Sequence, residues 1–434
     1  MQTKAKEKIN IVTLGCAKNL VDSEVLMTQL KGNNKDVYHQ SEEINPDVVI
    51  INTCGFIDNA KQESIDTILS YARQKDLGKI KKLFVTGCLS ERYKDDLKVD
   101  IPEVDGYYGT RDLPDLLKNF EAKYRNELLG DRIITTESHY AYMKISEGCD
   151  RPCSFCAIPL MRGKHISKPI DEILKEAKNL VKNGVKEIML IAQDSTYYGL
   201  DLYGKRLLPD LLKKLSDIDE LEWIRIHYAY PAGFPLEVIE VMKERDNICN
   251  YLDIPLQHGS SKMLKLMKRG ITREKTDKLI NDIRDINPQI SLRTTLIAGH
   301  PGETEKDFDE MYDFVAKTKF DRLGIFTYSH EEGTPSHNLE DNVPEQLKRI
   351  RSNKIMALQQ TISKEKNKKK IGSTLKVLID RADSDNYYGR TECDSPEVDN
   401  EVIIPVNKSH LRVGDFYDAV IIGAKEYDLI AKIK

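Results

Sequence analysis

Short apolar runs alternate with longer amphipathic stretches through the first three-quarters of the chain. Three of these runs lie before residue 125, and each ends in a cysteine: Ile9-Asn10-Ile11-Val12-Thr13-Leu14-Gly15-Cys16, Val48-Val49-Ile50-Ile51-Asn52-Thr53-Cys54-Gly55 and Leu83-Phe84-Val85-Thr86-Gly87-Cys88. Their apolar parts read as buried strands. Helical stretches lie between them, one with Asp58 as its N-cap, running on through Ile65, Ile68 and Leu69. Strand–helix–strand alternation predicts a parallel sheet, and such sheets bind ligands beyond the carboxyl ends of their strands. Each cysteine sits at that end. Neighbouring strands are about 4.8 Å apart, so Cys16, Cys54 and Cys88 can converge on one group. The alternative is three unrelated buried cysteines, a common fate for this residue. Their shared position, each beside Gly15, Gly55 or Gly87, favours convergence, because glycine permits close backbone approach.

From about residue 139 to 365 the alternation repeats. Strands are predicted at Tyr142–Ser146, Glu187–Ala192, Trp223–Tyr228, Tyr251–Pro255, Ser291–Ala298 and Leu323–Tyr328. Six βα units make a partial TIM-type barrel, whose C-terminal face is where chemistry takes place. The predicted loops on that face carry Gln193 and Asp194, His227 and Tyr228, Gln257 and His258, and Gly299 to Glu303. Singly, such residues are more often solvated or capping groups; their shared face raises them together. The turn Leu296-Ile297-Ala298-Gly299-His300-Pro301-Gly302-Glu303 could admit a nucleoside, or could simply start a helix. A long polar helix over Val343–Lys370 ends in Lys364-Glu365-Lys366-Asn367-Lys368-Lys369-Lys370, which reads as a solvated helix end or linker; nucleic-acid contact is the other reading.

The remainder, residues 372–434, changes period. Short alternating strands at Thr374–Ile379, Tyr387–Thr391, Glu401–Pro405, Phe416–Gly423 and Leu429–Lys434 predict a small antiparallel barrel. Such barrels often bind oligonucleotides. This one carries 8 Lys and Arg against 12 Asp and Glu, which suits a basic protein surface better than a phosphate backbone.

Composition narrows the class. A chain of 434 residues, 40% hydrophobic and 31% charged, is globular and holds several domains. No apolar run approaches the roughly 20 residues of a membrane helix, and the opening MQTKAKEKINIVTLG lacks the apolar core of a signal peptide. Eight cysteines at this length do not make a secreted disulfide scaffold. A reduced, cytoplasmic setting is expected, with no membrane partner. The net charge of −4 argues against a dominant nucleic-acid footprint.

The most specific chemistry lies in Glu147-Gly148-Cys149-Asp150-Arg151-Pro152-Cys153-Ser154-Phe155-Cys156. Three thiolates in C-x3-C-x2-C spacing suit an iron–sulfur or zinc site. Three ligands rather than four suggest an open metal position. A zinc knuckle completed by His165 is the plainer alternative, and a disulfide would strand the third cysteine.

This spacing resembles that of the radical S-adenosylmethionine enzymes. The resemblance implies that Cys149, Cys153 and Cys156 hold three irons of a 4Fe–4S cluster and that S-adenosyl-L-methionine chelates the fourth. Over essentially the whole chain, the order of units resembles the methylthiotransferase family. It implies an α/β architecture: an N-terminal methylthiotransferase domain (1–125), a radical S-adenosylmethionine core built as a (β/α)6 partial barrel (135–366) and a TRAM domain (367–434).

Within that family the chain looks most like the branch that methylthiolates an aspartate of ribosomal protein twelve of the small subunit. The residues that carry this are Leu14-Gly15-Cys16-Ala17-Lys18-Asn19, Asn52-Thr53-Cys54-Gly55-Phe56-Ile57, and the stretch from Ile145 through Cys156-Ala157-Ile158-Pro159-Leu160-Met161-Arg162-Gly163-Lys164. Ala17 departs from the branch, which often has proline there.

The resemblance implies that Cys16, Cys54 and Cys88 hold a second 4Fe–4S cluster carrying the sulfur to be transferred, and that Phe155 packs near the adenine. Gln193, Gln257, Arg293 and Gly299 are placed by position as further S-adenosyl-L-methionine contacts. Cys249 and Cys393 match no ligand position and read as ordinary thiols. One S-adenosyl-L-methionine would methylate sulfur and another would yield the radical that attacks the aspartate β-carbon, with an external reductant and sulfur donor. The two clusters must then face each other across one cavity, because misplacement of about 1 Å costs about a hundredfold, and the N-terminal strand ends should face the barrel mouth. A tRNA adenosine methylthiotransferase and a non-catalytic iron–sulfur electron carrier are the competing readings.

Overall fold

The computed structural model describes residues 7–128, 130–406 and 410–434; the basic opening, residues 1–6, falls outside them, and with it part of the signal-peptide argument. The N-terminal unit is a five-stranded sheet of β1 (Lys8–Thr13), β2 (Asp36–His39), β3 (Val48–Thr53), β4 (Lys82–Gly87) and β5 (Gly106–Tyr107). Its order is β2-β1-β3-β4-β5 and every pairing is parallel. All six residues of β3 are buried, as befits a central strand covered on both faces. Helices α1 (Ala17–Gly32), α2 (Asp58–Asp76) and α3 (Cys88–Asp100) make the crossovers. Asp58 is the first residue of α2 and Ile57 takes the cap position, one residue earlier than expected; an acidic first residue still favours the positive helix end.

The central unit contains β6 (Tyr140–Lys144), then a two-strand hairpin of β7 (Ser146–Glu147) and β8 (Ile166–Ser167). It continues with β9 (Glu187–Ile191), β10 (Trp223–Ile226), β11 (Ile248–Asp253), β12 (Ser291–Ala298) and β13 (Arg322–Thr327). Strands β6 and β9–β13 form one open parallel sheet in chain order. An apolar layer headed by Met143, Ile188, Leu190, Ile224, Leu252 and Leu292 packs against the outer helices. The opposite face holds Tyr140, Tyr142, Met189 and Ile191, on which Val21 of α1 also packs.

After the long helix Glu345–Lys369 come β14 (Thr374–Ala382), β15 (Asn386–Arg390), β16 (Val402–Pro405), β17 (Phe416–Ala424) and β18 (Leu429–Ile433), closed as β14-β15-β16-β18-β17. One contact departs from the antiparallel expectation: β16 and β18 pair in parallel, and that pair completes the closure.

The loop between β15 and β16 packs against residues in and just after strands of the larger sheet. Asp394 accepts from Arg322 Nε at 2.7 Å, and Asp399 accepts from Tyr251 Oη at 2.7 Å and Arg293 Nε at 3.3 Å. Asn250 donates to Glu392 at 3.1 Å, and Ser395 Oγ is 3.0 Å from His227 Nε2. Much of the acidity of the small barrel is therefore spent within the molecule. Asp380 pairs with His139 and Arg390, and Asp415 with Lys186. The excess of acidic over basic residues consequently overstates the charge left for a basic partner.

Candidate functional site

Cys16 caps α1, Cys54 follows β3 and Cys88 opens α3, so the three thiols stand at the carboxyl ends of adjacent strands. They are near enough for Cys16 to act electrostatically on both of the others. The strand ends pack too tightly for side chains at all three neighbouring glycines, Gly87 among them at φ +99° with Asn52 Oδ1 2.4 Å from where a Cβ would stand. A Cβ on Gly15, at φ +92°, would lie 2.7 Å from Cys54 Cβ; one on Gly55 would lie 2.8 Å from Leu89 Cα. Burial pushes the Cys54 thiol up and the Cys88 thiol up to about 12, so without metal both stay protonated at neutral pH.

The second set lies in the loop bracketed by the β7–β8 hairpin. Gly148 at φ +73° turns the chain so that Cys149 N donates to Gly163 O at 3.0 Å. Burial raises Cys149 to about 11 and Cys156 to about 12, and the three thiols again act on one another. Arg151 anchors the loop to Asp194 at 2.6 Å and stacks on Tyr230 with its guanidinium carbon 4.0 Å from the ring centre. Arg269 Nη1 donates to Cys153 Sγ at 3.1 Å, and Tyr230 Oη lies 3.8 Å from the same sulfur.

The two sets meet. Cys88 packs against Ala157 and Met161, in and just before the helix Ile158–Arg162 that follows Cys156. Thr110 Oγ1 and Arg111 Nη2 bond the carbonyls of Met161 and Arg162. Around the rim, Lys18 Nζ lies 3.2 Å from the ring centre of Tyr228, while Arg92 and Lys61 both pair with the buried Glu331 at 2.7 and 3.0 Å. The N-terminal strand ends thus face the C-terminal loops of the partial barrel, as expected.

Around the buried Arg162 guanidinium runs a partly buried ionic network. Arg162 Nη1 pairs with Asp22 at 2.6 Å and Glu147 at 3.3 Å, and Lys144 bonds both carboxylates. Burial would raise the Glu147 carboxyl, but Lys144 and Arg162 override it and hold it down at about 2. Beside this network lies a cavity of about 420 Å³, lined in part by Asp22, Gly87, Thr110, Lys144, Ser146 and Glu147.

The other sequence-predicted residues divide. Gln193 donates to Glu147 at 3.1 Å, and its amide oxygen is buried with no protein partner. Gln257 holds an unusual φ of +75° and likewise presents an unpartnered buried amide oxygen. Phe155 is half-buried in the cysteine loop. Arg293 is held between Asp253 at 3.0 Å and Asp399 at 3.3 Å. Gly299, at φ +80°, is overlain by the stem of Lys348, whose Cγ would be 2.2 Å from a Cβ there. His258 and Glu303 bond each other at 3.1 Å, fully buried, and tie together the turns after β11 and β12. Sequence reasoning assigned nothing to Arg162, Arg269 or Asn19, although Arg162 and Asn19 stand inside the quoted motifs.

Fit to metal groups follows from the donors. Among the described residues, no group of three or more His, Cys, Asp or Glu is arranged to hold a single ion. His165, the candidate fourth zinc ligand, turns instead to Ser167 at 3.1 Å. Two all-thiol sets of three suit a cluster whose ligands bind separate irons.

Nearly the whole chain aligns with curated proteins named "Ribosomal protein uS12 methylthiotransferase RimO". The protein from Cytophaga hutchinsonii is 60% identical over 428 residues, covering 99% of this chain and 98% of its own. Those of Flavobacterium psychrophilum and Bacteroides fragilis are 58% and 53% identical, each with 99% of both chains covered. The chain belongs to the RimO family. Three profiles match within it: the Radical SAM superfamily over residues 143–315, the Uncharacterized protein family UPF0004 over 8–109 and the TRAM domain over 371–433. Among solved structures, the radical S-adenosylmethionine methyltransferase TsrM from Kitasatospora setae, with tryptophan substrate and a SAM analogue bound, matches with a TM-score of 0.58. It is 13% identical, covering 82% of this chain and 89% of its own, a likeness of fold.

Proposed function

We propose that the chain methylthiolates the β-carbon of an aspartate in ribosomal protein uS12. Cys149, Cys153 and Cys156 hold one 4Fe–4S cluster with an iron left for S-adenosyl-L-methionine, and Cys16, Cys54 and Cys88 hold a second. The observation that carries this reading is the packing of Cys88 on the helix that follows Cys156, which brings the N-terminal strand ends against the segment bearing the other three thiols. The kinship of the whole chain with uS12 methylthiotransferases supports the substrate. When bound, the clusters and S-adenosyl-L-methionine supply radical and methyl-transfer chemistry at a C–H bond that no side-chain base could ionise near neutral pH.

The protein's own part is positioning. Arg151 and Asp194 fix the loop that bears Cys149 and Cys153. Gln193 and Gln257 each offer a buried acceptor oxygen without a protein donor, which suits the ammonium and ribose hydroxyls of S-adenosyl-L-methionine. Phe155 flanks the adenine. Arg293 supports the sheet through Asp253 and reaches a ligand only by leaving that carboxylate, and Gly299 takes a nucleoside only by displacing the Lys348 stem. The three units 1–125, 135–366 and 367–434 carry the second cluster, the radical chemistry and the brace beneath it. Electrons and sulfur come from external donors, in the cytoplasm; no helix among the described residues is long and apolar enough to cross a membrane.

The test offers two substrates at once. The anaerobically reconstituted, reduced protein receives S-adenosyl-L-methionine, a sulfur source, uS12 and hypomodified tRNA. Mass spectrometry of both should find a methylthio group on a uS12 aspartate and none on tRNA. Product on tRNA alone would overturn the substrate, and cluster reduction without cleavage of S-adenosyl-L-methionine would make the chain an electron carrier.

A further inference from the structure

Arg162 occupies a position that the activity above does not by itself require. Its side chain is only 2% exposed, yet each of its three nitrogens has a partner. Nε donates to Cys88 Sγ at 3.3 Å, Nη1 to Asp22 and Glu147, and Nη2 to Asn19 Oδ1. The same Asn19 donates to the carbonyls of Leu14 at 2.8 Å and Thr53 at 3.0 Å, the residues just before Gly15-Cys16 and Cys54. One guanidinium therefore touches Cys88 directly and braces the other two strand ends through Asn19, while standing six residues after Cys156.

A planar fork with fixed donor directions can do this, whereas a lysine ammonium is a single point charge. A buried cation within hydrogen-bonding distance of a metal-ligating sulfur stabilises the more negative, reduced state of the group, and such outer contacts tune potential and ligand geometry. The two positive groups Arg162 and Lys144 are matched by Asp22 and Glu147. Removing Arg162 would thus withdraw a positive charge and leave excess negative charge beside Cys88.

We propose that Arg162 is a positioning residue that raises the reduction potential of the group held by Cys16, Cys54 and Cys88 and couples its seating to the loop bearing Cys149, Cys153 and Cys156. This rests on the reading of Cys16, Cys54 and Cys88 as cluster ligands. The test uses the full chain with Cys149, Cys153 and Cys156 all changed to alanine, so that the N-terminal set alone carries iron. Its midpoint potential is followed by electron paramagnetic resonance during a redox titration, with iron counted in every sample. Absence of iron in this parent would remove the cluster reading and the proposal with it. With iron present, Arg162→Gln should shift the midpoint to lower potential. Arg162→Lys, which keeps the charge but loses the fork, should shift it in the same direction by less. An iron-loaded Arg162→Gln whose midpoint equals the parent's overturns the proposal; should Arg162→Gln bind no iron, a midpoint in Arg162→Lys equal to the parent's overturns it instead, because the guanidinium contact to Cys88 Sγ is lost in both.

Discussion

Ser395, in the small C-terminal barrel, is hydrogen-bonded at 3.0 Å to His227, inside the larger sheet. His227 in turn lies 3.7 Å from Asp253, whose carboxylate also accepts from the backbone of Tyr228, a residue at φ +62° beneath Lys18. The C-terminal barrel is thus part of the floor under the candidate site rather than an appended module.

Loss of that floor should be costly. Asp394→Ala would leave the Arg322 guanidinium buried without its carboxylate, and breaking such a pair typically costs about 3–5 kcal/mol. Glu401→Ala removes a half-exposed partner of Arg381 and should cost less than about 1 kcal/mol. Urea denaturation of the metal-free chains compares them; equal losses would mean that the loop does not bear on the larger sheet.

Gly15→Ala should separate the two thiol sets. The new Cβ meets Cys54 at 2.7 Å, and φ +92° is strained for any side chain. Iron bound by the N-terminal set should fall, while iron bound through Cys149, Cys153 and Cys156 stays. Iron analysis against Cys54→Ala as reference checks this, and full loading of the alanine variant would contradict the packing described.

The metal-free chain should lose stability as pH falls from about 6.5 toward 4. Burial lowers the His300 imidazole from 6.5 to about 4, so the fold favours its neutral form. That contribution is complete above the unfolded value and disappears as the pH drops through the folded one. His300→Phe should flatten this part of the stability–pH curve, at some cost from the lost Ser336 bond of 2.8 Å. An unchanged slope would mean that other groups set it.

Cys249 and Cys393 should be dispensable for metal. Cys249 is buried with Trp223, Tyr251 and Leu378, where the two barrels touch. Cys249→Ala should cost about 1 kcal/mol of packing and leave iron content unchanged; lost iron would make it a ligand.

Much of this was legible beforehand because it rests on local pattern. All six parallel strands of the large sheet were found near their expected places, since buried parallel strands read as continuous apolar runs. The cysteine at each N-terminal strand end was legible for the same reason. What escaped depends on contacts between distant segments. Arg293 sits at a strand position that suggested a ligand contact, but its partner Asp399 lies 106 residues away. Nothing local marks Glu392, Asp394 and Asp399 as residues that bond to the larger sheet, so from sequence alone the small barrel's acidity reads as surface charge. Arg162 was in plain view inside a motif, yet its partner Cys88 is 74 residues earlier.

The central claim, that two sets of thiols perform separable parts of one reaction, is tested by comparing Cys153→Ala with Cys54→Ala in the same assay. Deoxyadenosine and methylthiolated uS12 are quantified together. Cys153→Ala should yield neither. Cys54→Ala should yield some deoxyadenosine and no methylthiolated protein. Full methylthiolation by Cys54→Ala would contradict the account, because the N-terminal thiols would then have no part in the transfer.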